Sequence, residues 1–211
     1  MSYFFQELNL PCPIDDESKE KILNIKRTSV LRPYLFLTRT PEIFLNEKIL
    51  DYFSKINVFP DTMIVFGHVD NIEYTSLNPL IHSDIVFSEE GWKKVPFAIN
   101  WELDDTGSVF KWWDTSALPE VYPRDFSKND IFRYGQGIHY GHRRNTDSSK
   151  MKCIEKYQLK KSKAVMVRTE IPHAVYYNSG FVSRTSVSLR FPLDKISSWE
   201  LALDIFKSFW Q

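Results

Sequence analysis

Several residue types and segments are scarce in this 211-residue sequence. Its two cysteines, Cys12 and Cys153, lie far apart in sequence and form no CxxC pair, which argues against a disulfide framework and a thiolate metal site. Basic and acidic residues both number 27, so the chain lacks the positive excess typical of nucleic-acid binders. No uncharged stretch approaches the length of a membrane span, and the first residues lack the features of a signal peptide. We therefore expect a cytoplasmic protein without membrane or nucleic-acid partners.

What is abundant points to a folded, strand-rich protein. Hydrophobic residues make up 43% and charged residues 26% of the chain, which is ordinary for a globular protein. Aromatic residues reach 15%, and these favour strands and pocket walls. A chain of this length can bury a sizeable core in one unit, so we predict a single domain over residues 1–211.

Helix signals dominate the first part of the chain. Asp15 and Asp16 resemble a cap for a short charged helix over 17–27, and residues 34–37 are typical of a strand. Thr40 and Pro41 then match the cap and first position of a second helix. We predict that residues 1–60 form a largely helical part that packs on a β-rich core.

From Asp61 onward, short apolar or alternating runs follow one another, separated by turn residues. These runs are Met63–Phe66, Leu80–Phe87, Pro96–Leu103, Ser108–Trp113, Cys153–Leu159, Ala164–Arg168, Ala174–Tyr177 and Phe181–Phe191. Such a series is typical of a sandwich or a jelly-roll barrel. We predict a mainly β fold with flanking helices, with its core over 61–193 and a C-terminal helix over 197–211.

The polar segment 114–150 interrupts the strands. A connection of this length in a compact domain is usually functional or disordered, and we interpret it as a lid or substrate loop. His139 and His142 are three apart, but the glycines around them argue against the helix that would make them a ligand pair. Arg143 and Arg144 fit either a contact to a carboxylate-bearing substrate or a solvated loop.

His82 and Asp84 form an H-x-D motif within one predicted strand. Residues two apart on a strand point to the same face, so an imidazole and a carboxylate could meet at one point. With a second histidine they would make the two-histidine, one-carboxylate set of non-haem iron oxygenases, which leaves coordination positions open. The motif alone also fits a surface histidine next to a turn aspartate.

The strand that ends the β region carries an unusual face. Arg184, Ser186, Ser188 and Arg190 alternate with Thr185 and apolar residues, which suggests that the polar face lines an anion pocket. If Ser179-Gly180 is a two-residue hairpin loop, then His173 pairs with Ser186 and both point inward. This expectation depends on a strand register that the sequence does not fix.

Together these motifs resemble the 2-oxoglutarate- and Fe(II)-dependent dioxygenases, especially small phage and bacterial members. The pattern is His82-x-Asp84, a distal His173, and Arg184-x-Ser186 eleven residues later. The stretches Ala98–Trp101, Val109–Trp113 and Arg184–Phe191 also look like core strands of that family. The resemblance covers residues 80–191 apart from the long loop, and it implies a double-stranded β-helix, also called a cupin-like jelly roll.

The resemblance also implies roles for individual residues. Fe(II) would be held by His82, Asp84 and His173, with O₂ and 2-oxoglutarate taking the open positions. The far carboxylate of 2-oxoglutarate would pair with Arg184, helped by Ser186, while Arg190 is the rival arginine. Asn100 would line the same pocket, although a place on an outward strand face fits it equally well.

The presence of Asp84 as a ligand favours hydroxylation, because related halogenases replace this carboxylate with a small residue. The substrate would be an amino acid, a protein side chain or a small metabolite, oxidised while 2-oxoglutarate becomes succinate and CO₂. One alternative is a non-catalytic cupin-like β-barrel that binds a metal or a small ligand and does not need an inward Arg184. Another is a zinc hydrolase that uses the same three ligands.

Overall fold

The computed structural model describes residues 2–21, 34–69, 81–88, 91–104, 107–116, 138–140, 151–176 and 183–211. The strands in these ranges are β1 (Phe5–Leu8), β2 (Tyr34–Thr38), β3 (Thr62–Val69), β4 (Ser83–Ser88), β5 (Gly91–Lys94), β6 (Phe97–Glu102), β7 (Val109–Asp114), β8 (Ile138–Tyr140), β9 (Lys152–Gln158), β10 (Ala164–Arg168), β11 (His173–Tyr176) and β12 (Ser183–Arg190). The helices are α1, described over 16–21, α2 (Glu47–Ile56) and α3 (Trp199–Phe206), with 3₁₀ turns at Pro41–Ile43 and Lys207–Phe209. The prediction of a mainly β fold with flanking helices is confirmed.

The strands form three antiparallel sheets, which we call sheets A, B and C. Sheet A has the order β1-β10-β6-β12-β3-β2, sheet B the order β11-β7-β9, and sheet C the order β5-β4-β8. A single bridge between His82 and His173 connects the start of β4 to the start of β11. Sheets B and C are therefore joined where these two strands begin.

One face of sheet A forms the main core together with the helices. Residues that alternate along the strands, such as Met63, Ile99 and Leu189, pack against α2 and α3. The helix α3 begins at Ser198, whose side chain accepts a hydrogen bond from the amide of Leu201, and this caps its first turn. The helix predicted over 197–211 is shorter in the structure, where α3 ends at Phe206 and a 3₁₀ turn follows, and it covers this face of the sheet.

The second helix begins later than the sequence indicated. Pro41 opens a 3₁₀ turn, and α2 starts at Glu47, where the Asn46 side chain accepts a hydrogen bond from the amide of Ile49. Thr40 makes no side-chain cap bond, so Asn46 supplies the cap. Residues 1–60 also contribute β1 and β2 to sheet A, of which only β2 was predicted.

The opposite face of sheet A packs in part against sheet B. Ala98, Val165 and Val167 from sheet A cluster with Phe110 and Trp112 from sheet B. The buried Trp112 indole N–H donates a hydrogen bond across the cluster to the carbonyl of Arg168, at 2.8 Å. Sheets A and B therefore face each other, and the same face of sheet A also carries the polar residues Asn100, Glu102, Ser186 and Ser188.

The predicted hairpin between the last two strands is wrong. His173 pairs with Trp112 in sheet B, whereas Ser186 pairs with Phe66 and Glu102 in sheet A. The two strands follow each other in the chain but belong to different sheets, so the expected pairing of His173 with Ser186 does not occur.

Within the described helices, none combines the length and apolar character needed to cross a membrane.

Candidate metal and anion site

Backbone pairing brings the two predicted histidines together. The amide of His82 donates to the carbonyl of His173 at 3.0 Å, and the amide of His173 donates to the carbonyl of His82 at 2.7 Å. Side chains of residues paired in this way lie on the same face of the sheet. Asp84 lies two residues beyond His82 and shares its face. The amide of Asp84 donates to the carbonyl of Thr169, which fixes β4 in this position.

The three side chains converge on one point. Asp84 Oδ1 lies 3.6 Å from His82 Nε2 and 3.8 Å from His173 Nε2, and the candidate ligand atoms all lie within 4.8 Å of one another. Two neighbouring ligands of one metal ion, each about 2.1 Å from it, would be separated by about 3 Å. The observed separations are slightly wider than that and too long for hydrogen bonds. Within the described ranges, no other three His, Cys, Asp or Glu residues are grouped in this way.

His173 is oriented for ligation through one ring nitrogen. Its Nδ1 lies 2.9 Å from the carbonyl oxygen of Ile171, and since a carbonyl can only accept, Nδ1 carries the proton. Nε2 is then the nitrogen with the lone pair and faces Asp84. The ring also stacks on Phe110, with centroids 4.9 Å apart and planes 16° from parallel. The ring is thus held before any metal arrives.

Arg190 contacts the second oxygen of Asp84. Its Nη2 lies 2.5 Å from Asp84 Oδ2, and its Nη1 donates to the hydroxyl of Ser188 at 2.7 Å. The Ser188 hydroxyl donates in turn to Asn100 Oδ1 at 2.5 Å. Ser188 and Asn100 are also direct partners across β12 and β6. A polar chain therefore runs from the metal-ligand cluster along the face of sheet A.

Arg184 lies on the same face of β12 but has a different partner. Its Nε and Nη2 both contact Glu102 Oε2, at 2.9 and 2.8 Å. Arg184 is 7% exposed and Glu102 only 2%, so both charges of this ion pair are buried. The arginine predicted to meet the far carboxylate of 2-oxoglutarate is thus paired with a carboxylate of the chain itself.

The face of sheet A opposite the main core, which we call the polar face, unites most of the predicted anion-binding residues. Asn100, Arg184, Ser186 and Arg190 all lie on it, as the strand register and the alternation of side chains require. Glu102 was missed, although it could have been found, because it follows Asn100 by two residues and shares its face. The role of Arg190 at Asp84 was also missed, because it depends on the packing of β4 against β12.

The four residues singled out in the long loop fall largely outside the described ranges. Only the backbone of His139 is described, and it pairs with Asp84 between β8 and β4. His142, Arg143 and Arg144 lie beyond those ranges. The predictions made for these side chains therefore stay predictions.

The donor set matches a divalent transition metal. Two imidazole nitrogens and one carboxylate oxygen are the ligands of a facial triad, which suits non-haem Fe(II) and leaves half of an octahedral coordination sphere open. Arg190 holds Oδ2, so Asp84 has one oxygen directed at the histidines. The residues present thus fit a metal bound through three protein atoms, and the metal itself stays a prediction.

Comparison of the sequence with models of known protein families and with curated proteins found no match.

Proposed function

We propose that this protein is an Fe(II)- and 2-oxoglutarate-dependent dioxygenase that hydroxylates an amino acid, a protein side chain or a small metabolite. The observation that carries the proposal is the convergence of His82, Asp84 and His173 beside Arg190, which shares the polar face of β12 with Arg184. A set of metal ligands next to an anion-binding face is what a metal-chelating dicarboxylate requires.

The strand order supports a double-stranded β-helix. Eight strands fall into two facing groups, β10-β6-β12-β3 in sheet A and β9-β7-β11 in sheet B, the latter extended to β4 by the His82–His173 bridge. Along the chain, the strands of the two groups mostly alternate, which is the connectivity of a jelly roll. In this arrangement the metal ligands lie at the starts of β4 and β11, where the two neighbouring strands meet.

The charges in the cavity support a dianionic ligand. Among the described residues named above, Asp84 and Glu102 balance Arg184 and Arg190. A divalent cation on the triad would leave an excess of two positive charges in a largely buried region. Uncompensated buried charge is strongly unfavourable, and a dicarboxylate such as 2-oxoglutarate would cancel it.

In the proposed reaction the chain binds and orients the reactants. His82, Asp84 and His173 would hold the iron, and Arg190 keeps Asp84 turned so that Oδ1 faces the histidines. Arg184 and Ser186 would hold the far carboxylate of 2-oxoglutarate, and Asn100 and Ser188 would line its path. The bound iron supplies the oxidative chemistry, in which O₂ and 2-oxoglutarate give succinate and CO₂ while one oxygen atom enters a substrate C–H bond.

A second function is favoured by the Arg184–Glu102 pair. An arginine that already has a buried carboxylate partner does not need a ligand carboxylate. A non-catalytic cupin-like protein that binds a metal or a small ligand would have the same three ligands and the same ion pair. This alternative predicts metal binding without affinity for 2-oxoglutarate.

The test combines metal and cosubstrate binding without oxygen. Purified protein mixed anaerobically with Fe(II) and 2-oxoglutarate should develop the weak visible charge-transfer band of the chelate. Asp84→Ala should abolish the band, because it removes the anionic ligand. If wild-type protein binds Fe(II) but shows neither the band nor 2-oxoglutarate affinity, the dioxygenase proposal fails and the binding-protein alternative stands.

A further inference from the structure

Glu102 is a buried carboxylate on the polar face of sheet A, and the proposed reaction gives it no role. It lies directly opposite Ser186 across β6 and β12. Its Oε2 contacts both the Nε and the Nη2 of Arg184. It therefore lies beside the two residues expected to hold the far carboxylate of 2-oxoglutarate. A ligand carboxylate that reaches Arg184 must approach Glu102 as well.

Full displacement of Glu102 by the ligand is unfavourable. At 2% exposure its charge has lost nearly all contact with water, and Arg184 is its ion-pair partner. Leaving one member of a buried ion pair without its partner is among the most destabilising changes in a protein. A ligand carboxylate would therefore share Arg184 with Glu102, and two carboxylates on one guanidinium repel each other.

We propose that Glu102 determines the affinity and end-group specificity of the cosubstrate site by competing with the ligand for Arg184. The inference rests on the proposed function, since it assumes a ligand that chelates the metal and extends to Arg184. Two like charges about 5 Å apart in a protein interior weaken binding by roughly a hundredfold or somewhat more. The wild-type site therefore has a modest affinity for dicarboxylates and responds to changes in cosubstrate concentration.

The Arg184–Glu102 pair also affects which chemical group the site accepts at the far end of the ligand. Arg184 donates hydrogen bonds and Glu102 accepts them, so a carboxamide can bond to both at once, whereas a carboxylate bonds to Arg184 and is repelled by Glu102. The site should therefore discriminate only weakly between a ligand that ends in a carboxylate and one that ends in an amide. An arginine with no neighbouring carboxylate would prefer the carboxylate strongly.

The first experiment measures 2-oxoglutarate binding to Mn(II)-loaded protein by calorimetry, so that no turnover is needed. Glu102→Gln should bind 2-oxoglutarate at least about tenfold more tightly than wild type. The control is Asp204→Asn, which removes an exposed carboxylate of α3 that pairs with Lys207, on the side of sheet A opposite the face that carries Glu102. This control should leave the affinity unchanged.

The outcomes separate this inference from the proposed function. If wild type binds 2-oxoglutarate but Glu102→Gln binds it equally or less tightly, competition by Glu102 is refuted and the dioxygenase proposal survives. If neither protein binds 2-oxoglutarate in the presence of Mn(II), both fail. If Glu102→Gln binds 2-oxoglutarate and wild type does not, the result supports competition between Glu102 and the ligand for Arg184.

A second measurement needs no variant and so does not depend on Glu102→Gln folding. Wild-type Mn(II) protein is titrated with N-oxalylglycine, which has the shape of 2-oxoglutarate, and with its far-end amide, N-oxalylglycinamide. The two dissociation constants should differ by less than about tenfold. A preference of tenfold or more for the carboxylate would show that Arg184 acts as a full cation, and it would overturn the inference.

Discussion

The two faces of β12 are buried to a similar degree but stabilised in different ways. Val187 and Leu189 belong to the main hydrophobic core and need no hydrogen-bond partner. Ser188 and Arg190 lie on the polar face, where each has a defined hydrogen-bond or ion-pair partner. An apolar face is stabilised by burial and close packing, which need no directional partner, whereas a buried polar face is stable only when its groups are matched.

The largest effect should come from breaking the buried ion pair of the polar face. Arg184→Met leaves the Glu102 carboxylate buried without its ion-pair partner and should lower the free energy of unfolding by about 3–5 kcal/mol. Adding Glu102→Gln to this variant should restore most of the loss, because the uncompensated charge is removed. Urea unfolding of the two single variants and the double variant measures the coupling. Additive losses would contradict a matched pair.

The next effect contrasts two neighbours on opposite faces of β12. Leu189→Ala leaves a cavity in the main core and should cost about 2–5 kcal/mol of stability, while metal affinity stays near wild type. Ser188→Ala should cost less, about 1 kcal/mol for its hydrogen bonds to Asn100 and Arg190. Thermal unfolding with and without Mn(II) measures both quantities. Equal losses for the two variants would argue against the contrast.

A smaller effect is expected from the arginine beside the metal ligands. Arg190→Lys keeps the charge but loses the planar fork that contacts both Asp84 and Ser188. Metal affinity should fall by roughly tenfold to a hundredfold, as is typical when a group supporting a ligand is altered. A Co(II) titration followed by absorbance gives the affinity. Arg168→Lys is the control, and comparable losses in both variants would point to a general structural defect.

The smallest effect concerns the Tyr157 hydroxyl, at the edge of the hydrophobic cluster between sheets A and B. Burial, together with the hydrogen bond to Glu7, raises the pKa of Tyr157 above its ordinary value. The folded protein therefore holds this proton more tightly than the unfolded chain. The resulting stability is present below pH about 10 and is lost as the pH rises towards the raised pKa. Tyr157→Phe should flatten this alkaline loss and cost about 1 kcal/mol at neutral pH. Unfolding curves from pH 8 to 11 test this, and parallel pH profiles would contradict it.

The sequence predicted local features better than long-range pairing. The alternation in Arg184–Arg190 correctly separated the two faces of β12, and the apolar runs marked most strands. The short strand β5, with two lysines, lacks an apolar alternation and was missed. The pairing of β12 with β6 and β3 was not predicted, because register between strands distant in sequence depends on packing across the whole sheet.

The candidate site shows the same division. The H-x-D spacing predicted that His82 and Asp84 share a face, whereas the grouping of His173 with them came from the family resemblance. Alternation along β6 places Glu102 on the face of Asn100, but its pairing with Arg184, 82 residues away, depends on the register between β6 and β12 and could not be predicted. Contacts between distant elements decide which charge meets which, and they decide how freely the cavity can accept a ligand.

The His82–His173 bridge has a consequence for how the protein resists unfolding. A metal bound by His82, Asp84 and His173 would act as a cross-link that closes a loop of about 90 residues. A cross-link that closes a long loop removes more conformational entropy from the unfolded chain than one that closes a short loop. The metal would thus stabilise the junction between sheets B and C as well as take part in the reaction. Loss of the metal should therefore loosen the start of β4 and the start of β11 together, exposing both to hydrogen exchange at the same rate.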